Sequence, residues 1–318
     1  PGMRVFGISD VHTDWAENRD RLEGLPVGPF LGDVLLLAGD VSHDESTFDA
    51  TLAALSRRFG QVLFVPGNHD VWVDSGGSEA TSPSIQCSWE KHQWLLNCCA
   101  AHGVATSPLR FPGEQLVIVP MLSWYHAEFD KEPELPDDGL PRALARRRRR
   151  LPLLGDEVKC CWPDDLGRSL ASRNKALAHR LDAINDRPVA TTSGSKVGLD
   201  GESITFEAAL AARRRGETAI SFSHFLPRPE LLPEKRFLWF PQLARAAGSE
   251  PLRRRVERLR PALHLFGHTH FAWDLALDGV RYVQAPLGSP REWRSRRRTM
   301  RLEGGVPTLL WRGRRAGR

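Results

Sequence analysis

The sequence predicts a layered α/β protein, because short apolar runs alternate along the chain with stretches of helical composition. The apolar runs are bounded by Gly, Pro or polar residues, which is typical of strands buried inside a sheet. A chain of 318 residues is long enough to bury a full hydrophobic core. The runs that carry this argument are MRVFGIS at 3–9, DVLLLA at 33–38, QVLFVP at 61–66, TAISFS at 218–223 and ALHLF at 262–266.

Helices are predicted between these strands. Segment 45–59 starts with an acidic residue and ends with basic ones, which suits the helix dipole, and Gly60 follows as a C-cap. Ser88 is predicted to cap a second helix at its N-terminus. Two further segments of helical composition are 164–184 and 251–260.

Segment 130–216 differs from the rest of the chain. It is rich in Pro, Arg and Asp, and its stretch TTSGSKVGLDGES has little periodicity. We therefore predict a cap-like insertion of helices and loops here, and a basic C-terminal tail over about 291–318. Residues 1–318 are predicted to form one domain around a single core.

The composition is that of an ordinary globular protein, with 41% hydrophobic residues, 26% charged residues and a net charge of +5. No apolar run approaches the roughly 20 residues of a membrane helix, and no signal peptide is visible. Five cysteines without framework spacing argue against a disulfide scaffold. They favour a reducing compartment, either the cytoplasm or a reducing organelle lumen. Neither a membrane partner nor a particular oligomeric state is indicated.

Polar residues capable of metal binding or acid–base chemistry follow all of these apolar runs. Ligand sites in α/β sheets lie outside the carboxyl ends of the strands, so these residues are predicted to meet at one edge. Each cluster alone is a weak signal, and only the occurrence of one per strand end indicates a site. The clusters are Asp10-Val11-His12, Gly39-Asp40, Gly67-Asn68-His69-Asp70, His224 and Gly267-His268-Thr269-His270.

In this order, D-x-H, G-D, G-N-H-D, a strand-end His and G-H-x-H resemble the motifs of the calcineurin-like metallophosphoesterase superfamily. The resemblance runs from Met3 to roughly Pro290 and is specific to the superfamily, not to a substrate. It implies a two-sheet β-sandwich flanked by helices, in four αββα layers, with two metal ions at the strand ends. By motif, the first ion would be bound by Asp10, His12 and His270, the second by Asn68, His224 and His268, and both by a bridging Asp40.

The ligand types are consistent with this resemblance. Carboxylate, imidazole and amide oxygen ligands suit Mn, Fe or Zn, and no cysteine falls in any cluster. Two ions about 3.5–4 Å apart make a hydroxide available near neutral pH for in-line attack on phosphorus. His69 neighbours a ligand and is predicted to be the general acid that protonates the leaving oxygen. Asp70 is predicted to accept a hydrogen bond from the other ring nitrogen of His69 and so to fix its tautomer.

Two departures from the superfamily narrow the subclass. Protein Ser/Thr phosphatases carry G-D-x-x-D-R-G and G-N-H-E, whereas this chain has GDVSHDES and Asp70. Many relatives have a His pair where this chain has His224-Phe225. The chain therefore resembles uncharacterised members of the superfamily. The first choice of substrate is a small phosphorylated one, either a phosphomonoester or a nucleotide-type phosphoester.

Other residues are weaker candidates. Arg228 and Arg291 follow site-forming strands and could hold a phosphate, and His126 could line the pocket. His264 lies inside an apolar run and is interpreted as a core histidine. Asp44 either supports the site or caps the helix that follows it.

Two other functions stay open on the sequence. A nuclease or other phosphodiesterase would use arginine runs such as 146–150 to bind nucleic acid, a partner that the charge permits but does not favour. A silent metal-binding scaffold would keep the fold without turnover. The presence of every expected ligand and of the acid speaks against the scaffold.

Overall fold

The computed structural model describes residues 2–73, 85–135, 155–167, 169–187, 199–238, 240–295 and 307–313. The strands are β1 (Arg4–Ile8), β2 (Phe30–Ala38), β3 (Phe59–Val65), β4 (Leu109–Phe111), β5 (Leu116–Pro120), β6 (Glu202–Ser203), β7 (Thr218–Phe222), β8 (Leu263–Phe266), β9 (Asp274–Leu277), β10 (Val280–Gln284) and β11 (Thr308–Arg312). The α-helices are α1 (Ala16–Glu23), α2 (Glu45–Ser56), α3 (Ser88–Ala101), α4 (Gly155–Lys159), α5 (Leu170–Ile184), α6 (Phe206–Arg214), α7 (Glu250–Leu259) and α8 (Pro290–Ser295). Short 3-10 turns lie at His69–Val71, Pro112–Glu114, Ala127–Phe129, Asp164–Leu166, Pro229–Leu231, Lys235–Phe237 and Pro241–Ala246.

The strands form two sheets. The first has the order β11-β1-β2-β3, in which β1, β2 and β3 are parallel and β11 is antiparallel to β1. The second has the order β6-β4-β5-β7-β8-β10-β9, with a parallel centre of β5, β7, β8 and β10. The strands that end in the predicted polar clusters are therefore all parallel to a neighbouring strand, and all but the edge strand β3 lie inside their sheets. Burial on both faces explains their nearly continuous apolar sequences.

The two sheets pack face to face. One core cluster joins alternate side chains of both sheets, including Val34 and Leu36 of β2 with Ile118 of β5 and Leu265 of β8. The other faces of the sheets carry the helices, and residues such as Phe48 of α2 lie in the second core cluster. The predicted layered α/β architecture, a two-sheet sandwich flanked by helices, is confirmed.

The predicted strands are confirmed, whereas three predicted helix ends were wrong. Ser88 is the first residue of α3, and its N-cap is Cys87 instead. Helix α2 ends at Ser56, because Phe59 already pairs with Phe30 in the first sheet. Gly60 is a strand residue rather than a C-cap: a Cβ there would lie 2.3 Å from the carbonyl oxygen of Leu31. The helix expected from 164 begins at Leu170, after a separate 3-10 turn.

The described part of segment 130–216 contributes α4, α5, β6 and α6. Leu177 of α5 and Phe206 of α6 lie in the core cluster, and β6 pairs with β4. These residues thus continue the layers of the sandwich. Within the predicted basic tail, Thr308–Arg312 pairs with β1, so this part is an edge strand of the first sheet. No helix among the described residues is long and apolar enough to cross a membrane.

Candidate metal centre

The loops that follow β1, β2, β3, β7 and β8 meet at one edge of the sandwich. Backbone hydrogen bonds join them directly: Asp10 N–H donates to Gly39 (3.0 Å), His12 N–H to Asp40 (2.9 Å) and Gly267 N–H to His224 (2.9 Å). These bonds join neighbouring loops within each sheet. The two sheets are linked at the main chain by Gly288 N–H, after β10 of the second sheet, which donates to Asp10 at 2.8 Å. The predicted convergence of the polar clusters occurs.

The backbone at this edge is held in an unusual conformation. Positive φ angles are rare for residues other than glycine and concentrate at functional sites. Eight non-glycine residues among those described have one, and five of them are predicted metal ligands. The five are Asp10 (51°), His12 (40°), Asp40 (54°), His268 (75°) and His270 (57°).

Two glycines make room for the close approach of these loops. A Cβ on Gly67 would lie 2.1 Å from Asp40 Oδ1, and one on Gly39 would lie 2.6 Å from His224 Nδ1. Gly39 also has a φ of +78°, which favours glycine. The glycines of the G-D and G-N-H-D motifs therefore serve to bring side chains together.

The first predicted ligand group, Asp10, His12 and His270, is brought together. The Nε2 atoms of His12 and His270 lie 3.1 Å apart, and Asp10 Oδ1 is 3.4 Å from His270 Nε2. Asp10 is fully buried and accepts hydrogen bonds from Ser9 Oγ and from the backbone N–H of His268. Its carboxylate is therefore fixed at the base of the site.

The second predicted group, Asn68, His224 and His268, is also brought together. Asn68 Oδ1 lies 3.1 Å from His224 Nε2 and 3.0 Å from His268 Nδ1. Asp40 lies between the two groups: its Oδ1 is 3.5 Å from His224 Nε2 and its Oδ2 is 4.0 Å from His12 Nε2. This arrangement is the one expected of a bridging carboxylate.

The electrostatics of these residues fit bound cations. Burial and the neighbouring carboxylates of Asp70 and Asp10 raise the pKa of Asp40 well above its ordinary value, so its negative charge is costly without a compensating cation. Burial would lower the pKa of His270, yet the carboxylates of Asp10 and Glu292 raise it to about 10. This position attracts positive charge, and a metal ion can replace the proton.

His69 lies at the mouth of the site, with about a third of its side chain exposed. Its Nε2 is 3.9 Å from Asp40 Oδ2, and its backbone N–H donates to Asp40 Oδ1 at 2.9 Å. The ring stacks on the indole of Trp72, with centroids 3.6 Å apart. Burial and the neighbouring His12 lower the pKa of His69 well below its ordinary value. The ring is thus beside the candidate ligands but open on one side.

Asp70 does not make the predicted hydrogen bond to the His69 ring. Its Oδ1 accepts the backbone N–H groups of Val41 (2.7 Å) and Ser42 (3.1 Å), and its Oδ2 accepts those of Asp40 and Gly67 (both 2.8 Å). Both oxygens are occupied, and the side chain is fully buried. The structure therefore corrects this prediction: Asp70 clamps the loops after β2 and β3 together.

Two of the three weaker substrate candidates share one cleft, and the third lies on α8. Arg228 forms ion pairs with Glu230 and Asp278, and it lines a cleft of about 680 Å³ together with His126. His126 is buried, and its Nε2 accepts the backbone N–H of Glu250 at 3.1 Å. Arg291 is exposed on α8.

Hydrogen bonds decide the open role of Asp44 and confirm the interpretation of His264. Asp44 caps α2, since its Oδ1 accepts the backbone N–H of Thr47 at 2.7 Å. His264 is a fully buried core residue, whose ring nitrogens bond to the hydroxyls of Ser221 (2.7 Å) and Ser223 (3.0 Å).

Two carboxylates that support the site were not predicted. Glu292 Oε2 lies 2.8 Å from Nδ1 of His270, which leaves Nε2 of that ring to face the site. Asp156 Oδ1 accepts from Asn68 Nδ2 at 2.9 Å. Neither residue belongs to a strand-end cluster, and the sequence contains no local signal that connects them to their partners.

Comparison with known families agrees with this geometry. The family described as calcineurin-like phosphoesterase matches residues 3–150, the part of the chain that holds Asp10, His12, Asp40 and the loop after β3. The chain carries a calcineurin-like phosphoesterase domain over these residues, as the strand-end motifs predicted. It is a metal-dependent phosphoric ester hydrolase.

Individual relatives resemble the chain over nearly its whole length. The [acyl-carrier-protein] phosphodiesterase PptH of Mycobacterium tuberculosis (strain ATCC 25618 / H37Rv) is 26% identical over 305 residues, which are 92% of this chain and 80% of that protein. Among solved structures, the phosphopantetheinyl hydrolase (PptH) from Mycobacterium tuberculosis matches with a TM-score of 0.67 at 22% identity, over 97% of this chain and 96% of that one. This structural likeness supports the assignment of the fold.

Proposed function

We propose that the chain is a dinuclear metallophosphoesterase that cleaves a phosphodiester with an alkyl leaving group. The observation that carries the proposal is the convergence of two ligand groups on one shared carboxylate, Asp40. The two groups come from both sheets, and His69 stands beside them. A single metal ion would not require a second complete set of ligands on the other side of Asp40.

The choice of a phosphodiester rests on the relative named above. The printed name of PptH describes a phosphodiesterase that acts on acyl carrier protein, and the similarity covers 92% of this chain. We therefore propose a phosphopantetheinyl-type phosphodiester on a carrier protein as the substrate class. The phosphomonoester or nucleotide-type phosphoester predicted from the sequence becomes the second choice.

Each protein residue has a distinct part in this reaction. When bound, the two ions supply an activated hydroxide and neutralise the phosphoryl oxygens. Asp40 contacts both ligand groups and fixes their positions relative to each other. His69 donates a proton to the leaving alkoxide, which is a poor leaving group unless it is protonated. A bound phosphoryl anion opposes the lowering of the His69 pKa, because a nearby negative charge favours the protonated ring.

The nuclease alternative depended on the arginine run at 146–150, which lies outside the described residues.

The proposal is tested by reconstitution. The protein is stripped with chelator, reloaded separately with Mn, Fe or Zn, and incubated with a carrier protein that bears the phosphopantetheinyl group. Mass spectrometry should detect loss of that group only with the reloaded protein, and metal analysis should find two ions per chain. Asp40→Asn should lose both properties, whereas Asp165→Asn, at an exposed ion pair with Arg180, serves as the control. One ion per chain, or turnover of single-stranded DNA and aryl monoesters but not of the carrier protein, would contradict the proposal.

The role of His69 is tested by its dependence on the leaving group. His69→Gln should retain both ions and lose about 10²–10⁴-fold in turnover of the alkyl phosphodiester. Hydrolysis of bis-4-nitrophenyl phosphate should fall much less, because nitrophenolate leaves without a proton. Equal losses of turnover for the two substrates would contradict the role of His69 as the general acid.

A further inference from the structure

A buried carboxylate from segment 130–216 reaches the metal centre. Asp156 lies in α4, is only 7% exposed, and presents Oδ1 to two donors that belong to the loop after β3. These donors are Asn68 Nδ2 at 2.9 Å and Trp72 Nε1 at 2.7 Å. One oxygen atom therefore contacts two residues that have different tasks at the site.

The first contact determines which end of the Asn68 amide faces the candidate ligands. An amide has an oxygen that can bind a metal ion and an NH₂ group that cannot. Because Nδ2 donates to Asp156, Oδ1 is directed at His224 Nε2 (3.1 Å) and His268 Nδ1 (3.0 Å). Without Asp156, nothing among these contacts would distinguish the correct amide orientation from the flipped one.

The second contact holds the surface on which His69 lies. The Trp72 indole stacks on the His69 ring with centroids 3.6 Å apart and planes inclined by 28°. The hydrogen bond from Nε1 to Asp156 fixes the position of the indole within its own plane. The orientation of His69 toward the leaving group therefore depends on the same carboxylate.

Helix α4 is packed closely enough to make this arrangement rigid. A Cβ on Gly155 would lie 2.9 Å from Trp72 Cζ2, so a larger residue could not occupy that position without displacing the helix or the indole. Val73 N–H donates to the carbonyl oxygen of Lys159 at 2.8 Å, and the Lys159 ammonium lies 4.4 Å from the indole centroid. Both ends of α4 therefore contact the loop after β3.

We propose that Asp156 is a positioning residue that sets both the metal-binding face of Asn68 and, through Trp72, the placement of His69. This proposal rests on the proposed function, since it takes Asn68 as a ligand and His69 as the acid. Outer partners of metal ligands commonly change metal affinity or activity by about 10–100-fold when they are removed. Through Asp156, helix α4 of segment 130–216 therefore supports the metal centre.

The test uses variants that separate hydrogen bonding from charge. Asp156→Leu removes the acceptor while keeping the same number of side-chain heavy atoms, whereas Asp156→Asn keeps one carbonyl oxygen that can accept from both donors. Glu157→Gln removes a charge from the same helix and is the matched control. Metal affinity is measured by equilibrium dialysis against Mn or Zn with elemental analysis, so the readout does not depend on turnover.

We expect the Leu variant to bind one of its two ions about 10–100-fold more weakly. The Asn variant should recover most of that affinity, and the Glu157→Gln protein should bind both ions like the wild type. Two equally bound ions in a folded Leu variant would overturn the proposal. So would an Asn variant as weak as the Leu variant, because charge rather than amide orientation would then be the cause.

A second variant keeps the proposal testable if Asp156→Leu does not fold. Trp72→Phe retains an aromatic ring but removes the Nε1–H donor. We expect it to bind both ions normally and to lose turnover of the alkyl phosphodiester selectively over bis-4-nitrophenyl phosphate. Equal loss on both substrates, or no loss, would refute the placement of His69 through Trp72. Wild-type protein that lacks two ions or turnover would instead refute the proposed function, so the two failures are distinguishable.

Discussion

Replacement of Asp70 by Asn tests the strongest difference between the sequence prediction and the structure. The carboxylate accepts four buried backbone N–H groups, two on each oxygen. An amide has one acceptor end, so Asp70→Asn leaves two of these donors facing an NH₂ group. Each unsatisfied buried donor costs about 1–3 kcal/mol, which gives a loss of about 2–6 kcal/mol in the free energy of unfolding.

The assay is chemical denaturation in the presence of chelator, so that metal binding does not contribute. Asp165→Asn is the control, because this carboxylate is largely exposed and its ion-pair partner among the described residues is Arg180 at the surface. If Asp70→Asn changes stability by less than about 0.5 kcal/mol, it behaves as an ordinary surface substitution and the clamp is not important. A selective loss of turnover on alkyl esters at full stability would restore the original prediction that Asp70 orients His69.

Three further predictions follow from buried groups. Glu292→Leu should weaken binding of one metal ion by about 10–100-fold in equilibrium dialysis, because Nδ1 of His270 loses its 2.8 Å partner; unchanged affinity would contradict this. Maleimide at pH 8 should label exposed Cys161 before Cys98, since burial and Asp49 raise the pKa of the Cys98 thiol to about 12; equal labelling rates by mass spectrometry would be the contrary result. In chelator, the free energy of unfolding should fall as the pH drops from about 6.5 to 4, because burial lowers the pKa of His264 to about 3 and only the unfolded chain binds the proton. The slope should reach about 1.4 kcal/mol per pH unit for each such histidine, and a flat denaturation profile would refute it.

The fold and the ligand groups could be predicted because their signals are local. Each site-forming strand is a short apolar run that ends in a polar residue, and the carboxyl ends of parallel strands meet at one edge. The convergence of Asp10 and Asp40 follows from the parallel pairing of β1 with β2, whereas His224 joins them because the second sheet packs face to face against the first. Helix ends were less predictable: α2 stops at Ser56 because Phe59 is already paired in a sheet, and a local pattern does not contain that pairing.

The supporting carboxylates could not be predicted, because their partners are remote in the sequence. Asp156 is 88 positions from Asn68, and Glu292 is 22 positions from His270. An isolated Asp or Glu in a polar segment has many possible partners, and only the folded chain selects one. Residues that orient ligands are thus harder to find from sequence than the ligands, although the structure gives them comparable burial and equally short contacts.

The conformation of the loop after β3 explains why Asp70 does not bond to the ring of His69, its neighbour in sequence, as was predicted. Side chains of adjacent residues in a helical turn point in different directions, so residues one apart do not face each other. The 3-10 turn at His69–Val71 sends the His69 ring to the open mouth of the site and buries Asp70 completely. Asn68, just before the turn, points at the histidines instead. The motif G-N-H-D therefore combines three functions in three directions: a candidate ligand, a candidate acid and a clamp on the backbone that carries Asp40.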